Sequence, residues 1–399
     1  MTVSAGAPRG RIILCAKSPW LPTIRREHAL ALSAAAAGYH VVYVERAEDV
    51  RSVRGAREFT SYLGRLAGQR PAGAIGAGLQ LARRTTLVPG HRAAVWRRID
   101  CAGLAVQLRR IGAGSADTIV VNLPWHWPAV AKMRGVRKVF DLADDWARLI
   151  PRRRAAIESL YRRISAQADE IIVAAPELSG VLEGRCAVLV RNAASAQTLA
   201  EPVQPAPGRR RLVYLGTLSE RFDAALVGQV LHALPGWTLS LYGPCQYHAQ
   251  ADRPGRELSD LLRDRADQVR WHGPVARDDV ARVLDAGDVL ILPNNPALSL
   301  GQDSMKLYDY AARGRPVVCT TLPGPASSRP PFTYECDTAD AFAAAVVAAA
   351  AEPPERATAR RRWAEHNSWS ARMPLWLAAV HGQHPRADAP RGGVAECTW

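Results

Sequence analysis

Residues 301–318 read GQDSMKLYDYAARGRPVV, and this stretch decides the fold that the rest of the chain must match. It predicts a short helix with Asp303 or Ser304 as its N-cap and Gly314 just past its last turn, followed by a strand from Pro316. The first amide groups of a helix have no intrahelical partner and carry partial positive charge. The start of this helix is therefore suited to binding an anion.

Two charged side chains in this helix indicate what the anion is. Lys306 adds a full positive charge in the first turn, and Asp309 can accept hydrogen bonds from two adjacent hydroxyls, which a ribose offers. A diphosphate followed by a ribose describes a nucleotide sugar. The alternative is an amphipathic surface helix in which Leu307, Tyr310 and Ala311 pack and both charges are solvated.

Composition sets the size and class of the protein. A chain of 399 residues with 48% hydrophobic and 22% charged residues predicts a soluble globular protein of two domains. No apolar run approaches the roughly 18 residues of a membrane span, and the N-terminus lacks a signal-peptide pattern, so we expect a cytoplasmic protein. The seven cysteines form no CxxC pair, which predicts apolar core positions and neither disulfides nor a metal site.

The net charge of +15 is unevenly spread. Residues 1–200 hold 30 Lys and Arg against 15 Asp and Glu, whereas the remaining residues are balanced. This asymmetry favours an anionic partner for the first half, such as a membrane surface, an acidic acceptor or nucleic acid. The alternative is a solvated basic surface.

Buried-strand patterns in the first half alternate with helical patterns. Apolar runs at 11–16, 39–45, 118–122 and 138–142 predict a parallel sheet whose ligands lie at the carboxyl ends of its strands. Polar and aromatic residues that follow these runs are candidates for an acceptor cleft: Trp20, Arg25, Arg26, His28 and Trp125. Asp144 and His126 are candidate general bases, while Asp145 is better explained as a helix N-cap.

The second half repeats the alternation after a Pro-rich linker at 195–211. Gly216, Gly243 and Gly273 follow successive strands, where glycine lets a phosphorylated ligand approach the backbone. Arg221 can reach a diphosphate from the side opposite Lys306. No GxGxxG or GxxxxGK[ST] motif follows a strand, which disfavours nicotinamide dinucleotide and P-loop chemistry.

Taken in order, these motifs resemble glycosyltransferases of the GT-B fold, in the family-4-like bacterial branch that includes teichuronic-acid-type enzymes. The resemblance covers most of residues 11–380. The segments that carry it are RREH at 25–28, GYHVVYVE at 38–45, LVPG at 87–90, FDLADDW at 140–146, YLGTLSERFD at 214–223 and the block at 306–318.

The resemblance implies an α/β protein of two doubly wound, Rossmann-like domains with a cleft between them. It implies transfer of a sugar from a nucleoside-diphosphate donor, UDP or GDP, to a hydroxyl of a polysaccharide, lipid-linked or natural-product acceptor, with no further cofactor. The expected parts are an acceptor domain at 10–194, a linker at 195–211, a donor domain at 212–355, a helical segment at 356–381 that crosses back, and a disordered tail at 382–399. The expected donor-binding residues are Gly216, Thr217, Arg221, Gly243, His272, Gly273, Val275, Ser304, Met305, Lys306, Leu307 and Asp309.

One departure from the family leaves the stereochemistry open. Retaining members carry a Glu-x7-Glu pair, whereas this chain has Gly301 and Asp309 at those positions. An inverting reaction in which Asp144 deprotonates the acceptor is therefore an alternative. In both mechanisms the helix start and Lys306 stabilise the leaving nucleotide, so we expect metal independence.

Two other classes of function stay open. One is a basic protein that binds membrane or nucleic acid and has a decayed sugar site. Nucleic acid is not expected, because the sequence lacks aromatic residues interleaved with the basic ones. The other is a nucleotide-sugar epimerase on the same fold. Peripheral binding at the inner membrane face is a further expectation from the basic first half.

Overall fold

The chain folds as two α/β units, each built around a mainly parallel sheet. The computed structural model describes residues 9–20, 25–48, 59, 60, 63, 73–86, 93–203, 208–247, 253–299, 303–321 and 328–383. Within these residues, those up to Arg191 and those from Arg372 onward form the first unit, and Asn192–Ala371 forms the second. No helix among the described residues is long and apolar enough to cross a membrane.

The sheet of the first unit has the strand order β3-β4-β2-β1-β5-β6-β7-β8 among the described residues. Neighbours are parallel except for the hairpin of β3 and β4. The order reverses at β1, which pairs with β2 on one side and β5 on the other, so their carboxyl ends define a switch point. The strands are Arg11–Cys15, His40–Val44, Gly73–Gly76, Leu79–Ala82, Asp117–Val121, Arg137–Leu142, Glu170–Val173 and Val188–Leu189.

The second sheet is parallel throughout the described residues, with the order β11-β10-β9-β12-β13-β14. Its order reverses at β9, between β10 and β12, which places a second switch point at the end of β9. The strands are Arg211–Leu215, Thr238–Tyr242, Val269–Trp271, Val289–Leu292, Val317–Cys319 and Thr333–Glu335.

Helices cover the sheets because their apolar sides pack on the buried strands. In the second unit, for example, Val227 and Phe342 belong to the same core as Leu290. The described α-helices α1 to α13 are Arg26–Ala36, Ala94–Arg110, Trp127–Val130, Trp146–Leu149, Arg154–Gln167, Ala224–Ala233, Arg256–Asp264, Val280–Asp285, Pro296–Ser299, Met305–Ala312, Ala339–Ala350, Glu355–His366 and Trp369–His381.

The segment predicted as a linker differs from expectation up to residue 203. Arg313 donates hydrogen bonds to the carbonyls of Thr198 (2.9 Å), Ala200 (2.6 Å) and Glu201 (3.2 Å). The same guanidinium is paired with the buried Asp285 at 2.5 Å. This part of the segment is therefore fixed to the second unit, although its composition suggested a loose connection.

Other expectations fall partly outside the described residues. The LVPG motif at 87–90 and the tail from residue 384 lie outside the described residues. The expected helical segment at 356–381 is two helices, α12 and α13. Cys186 is exposed, which corrects its expected core position, whereas the other described cysteines are buried.

Candidate functional site

The start of α10 lies against the carboxyl end of β9. Ser304 is the N-cap residue and its side chain makes no capping hydrogen bond. The Tyr310 hydroxyl accepts a hydrogen bond from the amide of Leu215 at 2.9 Å and lies 3.3 Å from the carbonyl of the same residue. Leu307 and Tyr310 are buried in the core. This packing holds the first turn of α10 at the switch point of the second sheet.

Lys306 is the central charged group of this site. Its Nζ lies 5.2 Å from the ring centroid of Tyr214, and its aliphatic chain lies directly over Gly216. Burial, together with the nearby Arg221 guanidinium, lowers the pKa of Lys306 to about 8. Among the residues that the structure describes, no carboxylate forms an ion pair with Lys306. A half-buried ammonium at a helix start, with a guanidinium nearby and no carboxylate paired with it, is suited to binding an anion.

Three glycine loops meet at this edge of the sheet. The amide of Gly216 donates to the carbonyl of Tyr242 at 2.8 Å, and the amide of Gly243 donates to the carbonyl of Gly273 at 2.7 Å. A Cβ on Gly243, whose φ is +130°, would lie 2.0 Å from the carbonyl oxygen of Gly216. A side chain is therefore excluded at Gly243 by the neighbouring backbone and at Gly216 by the Lys306 side chain, whereas Gly273 has open space around it.

The loop after β9 is tied to the loop after β12. The amide of Asn295 donates to the carbonyl of Arg221 at 2.8 Å, and the amide of Asp223 donates to the carbonyl of Pro293 at 2.8 Å. These bonds position the half-buried Arg221 at the switch point. The sequence predicts that Arg221 and Lys306 bind the same diphosphate, and the Arg221 guanidinium is near enough to contribute to the lowered pKa of Lys306.

The remaining expected donor residues differ in exposure. His272 is exposed and stacks on Tyr242 with ring centroids 4.5 Å apart, while burial and Arg270 lower its pKa. The Thr217 carbonyl accepts a hydrogen bond from the Tyr214 hydroxyl at 3.0 Å. Met305 and Val275 are half-buried.

Asp309 already has partners inside the second unit. Its Oδ1 accepts hydrogen bonds from the Thr198 hydroxyl at 2.7 Å and from the Ser195 amide at 3.2 Å. Burial raises the pKa of this carboxyl. Asp309 therefore anchors the 192–203 segment, and its role toward a ribose stays a prediction for its second oxygen.

A second cluster lies at the switch point of the first unit, after β1 and β6. Lys17 Nζ lies 2.7 Å from Asp144 Oδ2, and both side chains keep some exposure. Burial opposes the charged form of Lys17, but Asp144 and Glu27 outweigh it and raise the pKa of the lysine. Glu27 is 1% exposed, and although burial opposes its ionisation, Lys17 and His28 lower the pKa of its carboxyl. Glu27 belongs to the RREH segment but is not among the expected acceptor residues, and Lys17 is not among them either, although Lys17 follows β1 just as Asp144 follows β6.

The structure corrects the expected roles of His126 and Trp125. His126 is 1% exposed and its Nε2 lies 3.4 Å from Asp100, which is itself paired with Arg84 at 2.7 Å. Burial lowers the pKa of His126. Trp125 is buried and packs edge-on against Trp146, with ring centroids 5.1 Å apart. Both residues belong to the interior and do not face an acceptor.

Asp145 is an N-cap, as the sequence predicts. Its Oδ1 accepts hydrogen bonds from the amides of Ala147 and Arg148 at the start of α4. Asp144 therefore remains the candidate base of this pair.

Arg26 and His28 are also interior residues, which corrects their place in the acceptor cleft. Arg26 Nε is 3.0 Å from Asp141 Oδ1, and Asp141 also accepts a hydrogen bond from the Trp376 indole at 3.0 Å. The Arg25 amide donates to His28 Nδ1 at 3.0 Å, so the proton of this ring lies on Nε2, 3.0 Å from the carbonyl of Pro19.

Of the expected acceptor residues, Trp20 and Arg25 keep partial exposure. The Trp20 amide donates to Glu45 at 2.6 Å, and its ring packs edge-on against His28. Arg25 Nη1 lies 3.5 Å from the Ser18 hydroxyl. These two residues stay candidates for acceptor contact.

Two doubly wound α/β units, each built on a mainly parallel sheet, are characteristic of the GT-B fold. Residues 209–352, which contain the cation pair and the glycine loops, match the family model of glycosyl transferases group 1. The chain is 26% identical over 219 residues to a proposed teichuronic acid biosynthesis glycosyltransferase of Bacillus subtilis (strain 168). That match covers 49% of this chain, and the chain spans about half, 53%, of that relative's length.

Solved structures share the whole fold. Sucrose-phosphate synthase from Thermosynechococcus elongatus superposes with a TM-score of 0.72 at 16% identity, covering 94% of this chain and 99% of that one. The Anabaena protein HepE, solved with UDP and glucose, gives a TM-score of 0.61 at 12% identity, covering 94% and 100% of the two chains. The expected resemblance to GT-B glycosyltransferases and the expected fold class are thereby confirmed.

Proposed function

We propose that this chain transfers a sugar from a nucleoside-diphosphate donor to a hydroxyl acceptor. The observation that carries the proposal is the position of Lys306 at the start of α10, over Gly216 and beside Tyr214, where no described carboxylate forms an ion pair with it. A diphosphate would supply the missing negative charge, and the amides of the first helical turn would add hydrogen bonds.

Charge development explains why this site would accelerate transfer. When the bond between the sugar and the diphosphate breaks, negative charge grows on the leaving phosphate. Lys306 is already held there by packing on Tyr214 and Gly216, and the loop that carries Arg221 is held by backbone hydrogen bonds, so the two cations would stabilise that charge with little rearrangement. A lysine whose pKa is about 8 can also donate its proton more readily than an ordinary lysine. We propose that this charge set replaces a metal ion, so that chelators leave turnover unchanged.

Asp144 is the proposed base for the acceptor hydroxyl. Its carboxylate is held by Lys17 at 2.7 Å and is not used as a helix cap, unlike that of Asp145. We propose an inverting reaction on this ground. The acceptor class that fits the basic first half is a carbohydrate or lipid-linked hydroxyl that carries negative charge or lies at an anionic membrane face.

The donor site is tested first, by thermal shift with UDP, GDP, TDP and their sugars. A ligand at 100 times its dissociation constant adds about 2.7 kcal/mol of stability. The relative solved with UDP makes UDP the first probe. We expect one base to shift the unfolding temperature and Lys306→Ala to remove the shift, while Arg256→Ala, at a side chain 94% exposed, keeps it. Folded protein that responds to no nucleotide would contradict the proposed donor site.

The base is tested by a matched pair of neighbouring substitutions. Asp144→Asn should retain nucleotide binding and lose transfer. Asp145→Asn should retain both, because asparagine also caps helices well. Equal activity in the two variants would remove Asp144 from the mechanism, and an anomeric configuration retained in the product would exclude inversion.

A further inference from the structure

Helix α2, Ala94–Arg110, is apolar on two faces and buries only one of them. Leu104 and Leu108 are fully buried in the first unit. On the other side, Val95, Ile99 and Val106 are 56%, 44% and 39% exposed. Their spacing of four and seven residues places the three side chains on one face. A helix face of this kind, left in contact with water, indicates a surface that something apolar covers.

The charged residues of α2 are almost all basic. Arg98, Arg109 and Arg110 flank the apolar face and are exposed, whereas Arg97 lies on the opposite side of the helix. The single acidic residue, Asp100, is buried and paired with Arg84. The outer side of α2 therefore combines apolar and positive groups, with no carboxylate from the helix itself.

An arginine-rich turn lies at the same edge of the unit. Arg148, Arg152 and Arg153 are exposed, and none of them forms an ion pair with a described carboxylate. Arg154 is also exposed and is paired with Glu158 one turn later. Unpaired neighbouring arginines repel one another, so this turn is suited to an anionic partner.

Topology brings the helix and the turn together. Helix α2 leads into β5 and α5 leads into β7, and both strands belong to the parallel sheet. Each helix must run antiparallel to the strand it feeds, so both begin at the edge where the strands end. Trp125 links them, because its carbonyl lies 3.1 Å from Cys101 Sγ and its ring packs on Trp146 beside the turn.

We propose that these two segments form a docking surface for an anionic lipid bilayer. The surface consists of Val95, Ile99, Val106, Arg98, Arg148, Arg152 and Arg153. Apolar side chains on one helix face enter the boundary between headgroups and acyl chains, and the flanking arginines contact the lipid phosphates. The surface lies at the edge that carries Asp144, so a lipid-linked acceptor would be presented to the candidate base. Only this last consequence rests on the proposed function.

A bilayer fits this surface better than a polyanion. Phosphate groups of a nucleic acid or an acidic polysaccharide would pair with the arginines but would leave the exposed valines and isoleucine in water. A neutral apolar partner would leave the arginines without counter-ions. An anionic bilayer satisfies both sets of groups at once.

The proposal is tested with the full chain by flotation with vesicles of phosphatidylcholine, alone or mixed with phosphatidylglycerol. We expect binding to the mixed vesicles only, weakened by salt. Replacing Arg152 and Arg153 by Gln should weaken binding roughly fivefold for each arginine. Val95→Gln with Ile99→Gln should weaken it further at constant charge. The matched controls are Val347→Gln, at a valine 54% exposed in the second unit, and Arg256→Gln; both should bind as the parent does.

Each outcome decides the proposal. Absence of binding to anionic vesicles, equal binding to neutral ones, or unchanged binding by the Val95 and Ile99 variant would overturn it. Unchanged binding of that variant, together with strong binding of a soluble polyanion, would favour a nucleic acid or acidic polymer. Nucleotide should raise the unfolding temperature of the same variants as much as that of the parent. The thermal shift therefore tests the proposed donor site, and vesicle binding tests the membrane surface independently of it.

Discussion

Gly216→Ala should remove most of the nucleotide affinity although the substitution itself replaces no charged residue. A Cβ at this position would lie 1.9 Å from Cε and 2.9 Å from Nζ of Lys306, and the three nearest atoms all belong to that side chain. The lysine must therefore move. The displaced atoms are the end of a flexible chain, and Gly216 has no positive φ, so the backbone can keep its conformation.

The expected loss follows from the interaction that is removed. A hydrogen bond between charged groups contributes about 1.5–3 kcal/mol, which corresponds to roughly 10- to 150-fold in the dissociation constant. Titration calorimetry with the nucleotide that gives the thermal shift measures this loss. Gly228→Ala is the matched control, because its Cβ would meet only Leu261 at an ordinary 3.7 Å. That control should bind nucleotide as the parent does and gain slightly in helix stability.

A double-mutant cycle identifies the cause. If Gly216→Ala acts by moving Lys306, it should cost little further affinity when added to Lys306→Met. Full additivity would mean that the alanine blocks the ligand directly. Parent-like affinity in Gly216→Ala alone would refute the placement of the diphosphate beside Lys306.

Three further predictions concern buried charges. Lys306→Met should raise the free energy of unfolding at neutral pH by up to about 3 kcal/mol, because burial lowers the pKa of the lysine to about 8 from 10.5. For the same reason the free energy of unfolding of the parent should rise between pH 8 and about 10.5, where the unfolded chain binds one more proton than the folded chain. A flat pH profile in urea unfolding would contradict this prediction. Asp141→Asn should lower the free energy of unfolding by about 3–5 kcal/mol, because it leaves Arg26 buried without its carboxylate. A loss under about 1 kcal/mol in chemical denaturation would show that the ion pair is dispensable for stability. Lys17→Met should lower the free energy of unfolding by about 3 kcal/mol at neutral pH, because it leaves the buried carboxylate of Glu27 without its cation. The difference in unfolding free energy between parent and variant should shrink below about pH 4, where Glu27 is protonated. A difference that is constant with pH would exclude the Glu27 carboxylate as the cause.

The sequence was informative where strand ends determine position. Carboxyl ends of parallel strands meet at one edge, so glycines after β9, β10 and β11 had to come together with the start of α10. The same rule, applied to the first unit, selects Lys17 as readily as Asp144. Lys17 comes just after β1, whereas the residues predicted for the acceptor cleft, Trp20 and Arg25, lie further along the same loop.

The rule could not tell which side chains turn inward. His126 and Asp144 both follow strands, yet one is paired with Asp100 inside the domain and the other keeps partial exposure. Whether each side chain is buried or exposed depends on partners that are far away in the sequence. Arg26 is neutralised by Asp141, 115 residues later in the chain, and no local sequence pattern predicts such a pair. The linker prediction failed similarly, because its carbonyls bond to Arg313, over 110 residues away.

The pairing of buried charges separates structural residues from candidate functional ones in this chain. Arg26, Arg84 and Arg313 each lie within 3.0 Å of a buried carboxylate, so their charges are balanced within the fold. Lys306 is half-buried beside an aromatic ring, and burial together with the Arg221 guanidinium lowers its pKa, so the charged form is disfavoured where it lies. A fold selected only for stability would replace such a lysine, since an apolar side chain would pack better at lower cost. Its retention is explained if an anion occupies the site during part of the protein's working cycle, and the stabilisation expected of Lys306→Met is the direct measure of that cost.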